Sequence, residues 1–346
     1  MFRIAPMTMR TLLRSRLVLG IALGVSLMLL SGPENPWAYS TNSFDAALTL
    51  QESMTDEWLA LDGVVGTAIG FDGHGHHVVK VYLTQPGIIT MPRIMQGVEI
   101  VPEITGRFTS LPPDAEAVDP TSSFPRPVPI GVSTGHGQVT AGTIGARVTD
   151  GTRTFALSNN HVFAANNVGK KGDNLLQPGV VDGGRDPADV IGTLYDYEPL
   201  HFCRAMVCEH NTIDAAIALT TPDDLGSATP EGGYGSPRVR SQDATLGMGV
   251  QKYGRTTGHT RGQVTGINAT MDVSYRNGTA RFEGQIVISG RGFSAGGDSG
   301  SLIVSEGVLM SDRRPVGLLF AGTQTTTLAN PIGRVLERFD IRIDGT

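Results

Sequence analysis

Glycine is the residue that most constrains how this chain can fold. The sequence holds 45 glycines among 346 residues, about twice the average share. A glycine in a helix interior costs about 1 kcal/mol relative to alanine, which disfavours a long helical bundle. Short apolar runs recur between turn residues, a spacing typical of β-sandwiches and barrels. The sequence therefore predicts a globular protein built mainly from strands.

The charge balance limits the partners of the chain. Charged residues make up 17%, and 27 Lys and Arg stand against 33 Asp and Glu, a formal charge of −6. Disordered chains combine few apolar residues with many charges, which is not the case here. Sequence-independent binding to nucleic acid requires a basic surface, so we expect no nucleic-acid partner.

Residues 1–40 have the features of a targeting segment. Four arginines precede an uncharged apolar run over 17–30, and Ala38 and Ser40 are small residues at the positions that a signal peptidase reads. Fourteen apolar residues are fewer than the ~20 that span a bilayer. We expect export to the periplasm or the exterior, and retention of 17–30 as a membrane anchor stays open.

Residues 41–110 have the pattern of a small α+β domain. Apolar residues recur at helical spacing over 44–61, and strands are expected at 63–71, 78–83 and 97–104. This domain could be a propeptide, a docking domain or a scaffold, and the sequence does not choose between them.

A proline-rich stretch over 111–129 is expected to be a linker, because dense proline gives a semi-rigid spacer. Strand-length runs then continue to the end of the chain. The glycine-, serine- and proline-rich segment near 226–241 divides them into halves at 130–235 and 236–330. A closing helix is predicted at 331–340.

Two polar residues border apolar strands in these halves. His161 follows one strand. Taken alone, a histidine in this position is more often a structural residue whose hydrogen bonds are satisfied at the end of a strand. Asp214 stands at the start of the apolar run 213–219. A buried carboxylate needs a strong partner, although a turn cap would also explain it.

A third residue, Ser299, lies in a glycine-rich turn before an apolar strand. Gly297 and its neighbouring glycines permit a tight turn, which could be an ordinary β-turn. It could equally expose a serine hydroxyl while aiming amide N–H groups at one point, as nucleophilic catalysis requires. The order His, Asp, Ser is that of chymotrypsin-type enzymes, and other serine hydrolases use other orders.

These segments resemble those of trypsin-like serine proteases with the chymotrypsin fold. The resemblance rests on Asn159-Asn160-His161-Val162, Asp214-Ala215-Ala216-Ile217-Ala218 and Gly297-Asp298-Ser299-Gly300. The segment 254–270 is similar to a second-barrel hairpin of bacterial secreted proteases of the alpha-lytic and streptogrisin kind. The likeness covers roughly residues 128–346. It implies an all-β, chymotrypsin-like double β-barrel with a C-terminal helix, preceded by the small α+β domain.

The resemblance also implies residue roles in a serine endopeptidase. His161 would be the general base and then the general acid, Asp214 would orient it, and Ser299 would attack the scissile carbonyl. The N–H groups of Gly297 and Ser299 would form the oxyanion hole. No metal or organic cofactor is implied, and the partner would be a protein or peptide substrate.

Substrate-binding residues are expected on the strand 316–322, at Phe320, Ala321 and Gly322, and at Phe293. Phe293 stands six residues before Ser299, where the resemblance implies that trypsin-like specificity for Lys or Arg would require an Asp. We therefore expect an apolar or small P1 residue.

Asp298 presents a separate question, since this chain lacks an N-terminus of the kind that pairs with the corresponding residue of digestive proteases. We expect an internal donor, with Arg255, Arg261 or Arg291 as candidates.

The two cysteines, Cys203 and Cys208, are expected to form a disulfide in an exported protein. Free thiols stay open, and so does a metal site with the flanking His201 and His210. His74, His76 and His77 on the first hairpin are better explained as an exposed turn than as metal ligands. A catalytically silent module with a protease fold is the main alternative to the peptidase. The sequence does not indicate the oligomeric state.

Overall fold

The computed structural model describes residues 44–87, 90–109, 120–204, 207–307 and 312–346. The predicted targeting segment 1–40 lies outside these residues, as do residues 111–119 of the predicted linker. Within the described ranges, no helix is long and apolar enough to cross a membrane.

Among its described residues, the N-terminal part contains one helix and short strands. The elements are α1 (Phe44–Leu59), β1 (Val64–Phe71), β2 (His77–Leu83), β3 (Ile94–Met95), β4 (Val98–Ile104) and β5 (Phe108–Thr109). The apolar face of α1 packs on β1, β2 and β4, with Leu50 and Trp58 buried against Ile69 and Val81. The predicted helix and the three predicted strands are confirmed.

The central part is nearly all β. Its elements are β6 (Ser133–His136), β7 (Gly142–Thr143), β8 (Ala146–Thr149), β9 (Thr154–Ser158), α2 (Asn160–Phe163), β10 (Asn174–Leu176), β11 (Val190–Tyr197), β12 (His210–Asn211) and β13 (Ala216–Thr220).

The C-terminal part adds β14 (Gly249–Gly254), β15 (Gly258–Tyr275), β16 (Gly278–Ser289), β17 (Leu302–Ser305), β18 (Pro315–Gly322), β19 (Thr326–Pro331), α3 (Ile332–Phe339) and β20 (Arg342–Ile343). The closing helix α3 is as predicted, with Ile332 and Val335 buried. The hairpin β15–β16 is longer than the sequence pattern indicates.

Among the described residues the strands form two sheets, one for each barrel of the predicted fold. The first barrel has the strand order β20-β8-β9-β13-β11-β10-β6-β7. The second barrel contains β14 to β19 and is extended by β12 and by the N-terminal strands, since β1 pairs antiparallel with β15. The all-β, chymotrypsin-like double-barrel fold with a C-terminal helix is therefore confirmed.

The described end of the predicted linker lies against the first barrel. Gln177 accepts a hydrogen bond from the backbone N–H of Phe124 and donates one to the carbonyl oxygen of Ser122. Val128 forms a bridge with Leu225. These contacts fix the entry of the chain into β6, while the domain boundaries stay a proposal.

Candidate active site

The pairing of two neighbouring strands brings His161 and Asp214 together. In the first barrel β9 runs antiparallel to β13, with Ser158 opposite Ala216. The end of β9 therefore lies beside the start of β13. His161 comes three residues after Ser158, in α2, and Asp214 comes two residues before Ala216.

The contact between the two side chains is close and buried. His161 Nδ1 lies 2.6 Å from Asp214 Oδ2, and the His161 backbone N–H donates to Asp214 Oδ1 at 3.2 Å. Asn159 Nδ2 donates to the Asp214 carbonyl oxygen at 2.7 Å, which ties the two segments together. The Asp214 side chain is fully buried. These bonds supply the strong partner that a buried carboxylate needs.

The other nitrogen of the histidine has no partner. His161 Nε2 is buried, and no hydrogen bond to it is found among the described residues. When Nδ1–H is donated to a carboxylate, a neutral imidazole carries its acceptor lone pair on Nε2. A buried acceptor without a donor is unfavourable, so this nitrogen is suited to receive a proton from a group that comes to it.

Ser299 lies in the turn that precedes β17, and the backbone of this turn is firmly held. The Ser299 carbonyl oxygen accepts from Thr143 N at 2.8 Å, and Gly300 N donates to Leu319 O at 2.8 Å. Gly300 has a φ of +96°, which favours glycine. The Ser299 hydroxyl is buried and lies 3.5 Å from the Phe320 carbonyl oxygen, a long hydrogen bond.

The turn and the histidine segment meet at Gly142. A β-carbon on Gly142 would lie 3.0 Å from the Ser299 carbonyl oxygen and 2.5 Å from Val162 Cγ2. Val162 directly follows His161, so the backbone of Ser299 lies next to the segment that carries the histidine. Only a residue without a side chain permits this approach.

Two backbone N–H groups of the turn are available to a ligand. Among the described residues, neither Gly297 N nor Ser299 N donates a hydrogen bond. Their directions are set by the neighbouring carbonyls, since N–H and C=O point opposite ways in a trans peptide. Thr256 Oγ1 donates a hydrogen bond to the Gly296 carbonyl oxygen. Ser301 N donates one to the Asp298 carbonyl oxygen at 3.0 Å.

The carboxylate of Asp298 is satisfied without an arginine. It accepts from Thr256 N at 2.9 Å, from Thr257 Oγ1 at 2.6 Å and from Ala295 N at 2.9 Å. Buried Lys252 places Nζ 3.5 Å from Asp298 Oδ2. Burial lowers the pKa of Lys252, and the attraction of Asp298 opposes this effect.

The expectation that Arg255, Arg261 or Arg291 pairs with Asp298 is therefore wrong. Arg255 makes two bonds to Asp182, at 2.6 and 2.7 Å, and Arg261 pairs with Glu306. Arg291 is exposed. Backbone amides and a hydroxyl can satisfy a buried carboxylate as well as a guanidinium can.

The expected substrate-binding residues lie close to the turn, but the aromatic ones are buried. Phe293 packs among core residues of the second barrel such as Val264 and Ile303. Phe320 contacts Phe282 with ring centroids 4.7 Å apart, and Ala321 is buried beside it. Their part in specificity stays a prediction.

The edge of β18 at Gly322 has a partner from the N-terminal part. Thr109 of β5 pairs antiparallel with Gly322, and β5 also pairs parallel with β15 through Phe108 and Val273. The N-terminal segment thus lies along the end of the strand 316–322.

Cys203 and Cys208 form a disulfide with an S–S distance of 2.08 Å, which excludes free thiols and thiolate ligands here. Within the described ranges, no group of His, Cys, Asp and Glu has the geometry of a metal site.

In the turn between β1 and β2, His76 Nδ1 contacts Asp72 Oδ2 at 2.9 Å. The hydrogen bond from the backbone N–H of His76 is the main cause that lowers the pKa of Asp72 to about 2.

One contact of the site was not indicated by the sequence. Tyr275 Oη donates to Asp214 Oδ2 at 2.9 Å. Tyr275 is 61 residues from Asp214 in the chain, at the end of a strand whose alternation gives a tyrosine no special significance.

Comparison with known proteins gives a partial family match and several structural likenesses. The Nal1 C-terminal domain matches residues 239–342, and no curated protein matches the chain.

The structural likenesses are to serine proteases. A glutamic acid specific serine protease has 19% identity and a TM-score of 0.45, covering 62% of this chain and 100% of its own. Thermobifida fusca protease A has 22% identity and a TM-score of 0.44, covering 63% and 100%. Cellulomonas bogoriensis chymotrypsin has 20% identity and a TM-score of 0.43, covering 63% and 99%.

Proposed function

We propose that the chain is an exported serine endopeptidase that hydrolyses peptide bonds through His161, Asp214 and Ser299. The observation that carries the proposal is the state of His161. Its Nδ1 lies 2.6 Å from Asp214 Oδ2, while its buried Nε2 is unpartnered within the described ranges. A merely structural histidine would have both nitrogens satisfied.

The proposed reaction begins with the Ser299 hydroxyl. Oγ turns from the Phe320 carbonyl oxygen to His161 Nε2 and transfers its proton there as it attacks the scissile carbonyl carbon. Asp214 stabilises the imidazolium that forms. The imidazolium then protonates the leaving amine, and the acyl group stays on Ser299. A water molecule gives its proton to His161 and attacks the acyl carbon, which releases the acid and restores the hydroxyl.

The turn supports the charge that develops on the substrate oxygen. The N–H groups of Gly297 and Ser299 make no other hydrogen bond among the described residues, and they are close in sequence on a backbone fixed by its carbonyl partners. Two such donors would bind the oxyanion of the tetrahedral intermediate, where one donor is worth about 10²–10³ in turnover.

The N-terminal segment would compete with a substrate. If β18 pairs with the substrate backbone, as the resemblance implies, Thr109 occupies the same edge at Gly322. Activity would then require β5 to leave this edge. The predicted proline-rich linker at 111–129, which follows β5 in the sequence, would be a site for cleavage. Among the three roles left open by the sequence, this contact favours the propeptide.

Hydrolysis of a denatured protein by the purified chain tests the proposal, with the peptides and the intact mass of the chain followed together. Peptide release is expected from the wild type and not from Ser299→Ala. Ser301→Ala is the matched control, since Ser301 Oγ is a buried hydroxyl in the same turn without a partner in the described chain. If neither the intact nor the cleaved wild type released peptides, the silent binding module would take the place of the peptidase.

A further inference from the structure

The carboxylate of Asp214 has a third hydrogen-bond donor besides the ring and backbone of His161. Tyr275 Oη lies 2.9 Å from Asp214 Oδ2, the same oxygen that lies 2.6 Å from His161 Nδ1. Among the described residues, only His161 and Tyr275 donate to this carboxylate. The phenol therefore shares one carboxylate oxygen with the imidazole.

Tyr275 is held in place by its neighbours. Its ring meets that of His161 edge to face, with centroids 5.8 Å apart and planes at 65°. Phe202 packs on it at 5.9 Å and Phe282 at 6.1 Å. The backbone is fixed as well, because Tyr275 pairs with Gly278 across the end of the hairpin β15–β16. A buried ring contacted on several sides has little freedom to turn.

The phenol is neutral and acts as the donor. Burial raises the pKa of Tyr275 well above its usual 10, and the nearby Asp214 raises it further. Because the hydroxyl keeps its proton, it can only donate to an ionised carboxylate.

We propose that Tyr275 is a positioning residue of the active site: its hydroxyl fixes the Asp214 carboxylate, and its ring edge fixes the orientation of His161. This inference rests on the proposed function, in which Asp214 orients the general base. The Asp214 carboxylate would thus be held by a residue from the second barrel, although both His161 and Asp214 border strands of the first barrel.

Removal of the hydroxyl has a defined electrostatic consequence. Oδ2 would lose its neutral donor and keep only His161, so the carboxylate would attract the imidazolium more strongly. The elements around Asp214 present His161 from α2, Tyr275 from β15 and the uncharged Asn330 from β19, which accepts from the Asp214 backbone N–H. The protonated state of the pair would therefore persist to higher pH.

The first test compares Tyr275→Phe with the wild type in peptide hydrolysis as a function of pH. The variant keeps the ring and its packing. We expect kcat to fall about tenfold, because Asp214 and His161 lose their fixed orientation, with KM little changed. We expect the acid limb of the kcat/KM profile to move to higher pH by up to about one pH unit.

Tyr234→Phe is the matched control. Tyr234 is buried in the core of the first barrel, away from Asp214, and burial alone raises the pKa of its hydroxyl. Its loss should leave the pH profile and kcat unchanged, and the thermal midpoints of both variants would report any loss of folding.

The second test does not depend on activity. In the full chain carrying Ser299→Ala, the NMR signal of the His161 Nδ1 proton reports the bond to Asp214. Adding Tyr275→Phe should shift this signal and the pH at which it titrates, whereas Tyr234→Phe should not.

The results separate the two proposals. An NMR signal and a pH profile that Tyr275→Phe leaves unchanged would refute the positioning role while the peptidase stands. Absence of hydrolysis by the wild type would refute the peptidase, and the NMR shift alone would still show whether Tyr275 holds Asp214.

Discussion

A single methyl group added at Gly297 tests the geometry of the turn before the serine. Gly297 has a φ of +96°, and a β-carbon would lie 2.5 Å from Thr256 Oγ1 and 2.7 Å from Arg255 Nη1. Arg255 cannot easily move, because it is buried and holds Asp182 through two bonds. Left-handed backbone costs roughly 1–2 kcal/mol, and overpacking adds about 1–3 kcal/mol. We expect Gly297→Ala to lower the free energy of unfolding by about 2–5 kcal/mol.

Gly172→Ala separates the two contributions. Gly172 has the same φ of +96°, but a β-carbon there would meet no atom within 4 Å. Gly172→Ala should therefore lower the free energy of unfolding only by the cost of the left-handed backbone, about 1–2 kcal/mol. Urea denaturation of both variants in the Ser299→Ala chain measures the difference. Equal losses would refute the predicted clash.

The same substitution also tests the oxyanion hole. In the active chain, Gly297→Ala would displace the N–H group that the proposed intermediate needs. Reaction with a fluorophosphonate should slow by about 10²–10³, whereas Gly172→Ala should react at the wild-type rate. A Gly297→Ala chain that reacts as fast as the wild type would contradict the assigned donor.

Three further outcomes are expected. Replacing Cys203 and Cys208 together by serine should cost about 2 kcal/mol for a loop of this length, measured as a lower thermal midpoint; an unchanged midpoint would contradict it. Peptides with Leu at P1 should be cleaved faster than those with Lys, and a clear preference for Lys would refute the expected pocket. Ultraviolet titration should show that Tyr275 of the folded chain does not ionise near pH 10, since burial raises its pKa. The chain should then lose stability above that pH, because the unfolded tyrosine ionises and the folded one does not; a Tyr275→Phe chain with the same alkaline loss would contradict this.

The sequence predicts the fold well because its signals are local. The run over 63–71 and the closing helix each follow from the spacing of apolar residues, and the structure has them within one or two residues. The pairing of β1 with β15 could not be predicted. This pairing depends on which strand edge of the second barrel is free to accept a further strand. The sequence of one segment alone does not show that.

The candidate site shows the same difference between local signals, which the sequence contains, and long-range contacts, which it does not. Short motifs mark His161, Asp214 and Ser299, because each residue type stands where a strand meets a turn. The partners of Asp298 were predicted wrongly, since backbone N–H groups such as that of Thr256 leave no trace in residue identity. Tyr275 was missed because its contact with Asp214 spans two barrels.

The central claim is that Ser299 is an activated nucleophile. The most direct measurement is the reaction of the purified chain with a fluorescent fluorophosphonate, followed by mass spectrometry of the labelled peptide. The account predicts a single label on Ser299, retained in Ser301→Ala and abolished in both Ser299→Ala and His161→Ala. A label on another residue, or equal labelling of the wild type and Ser299→Ala, would contradict it.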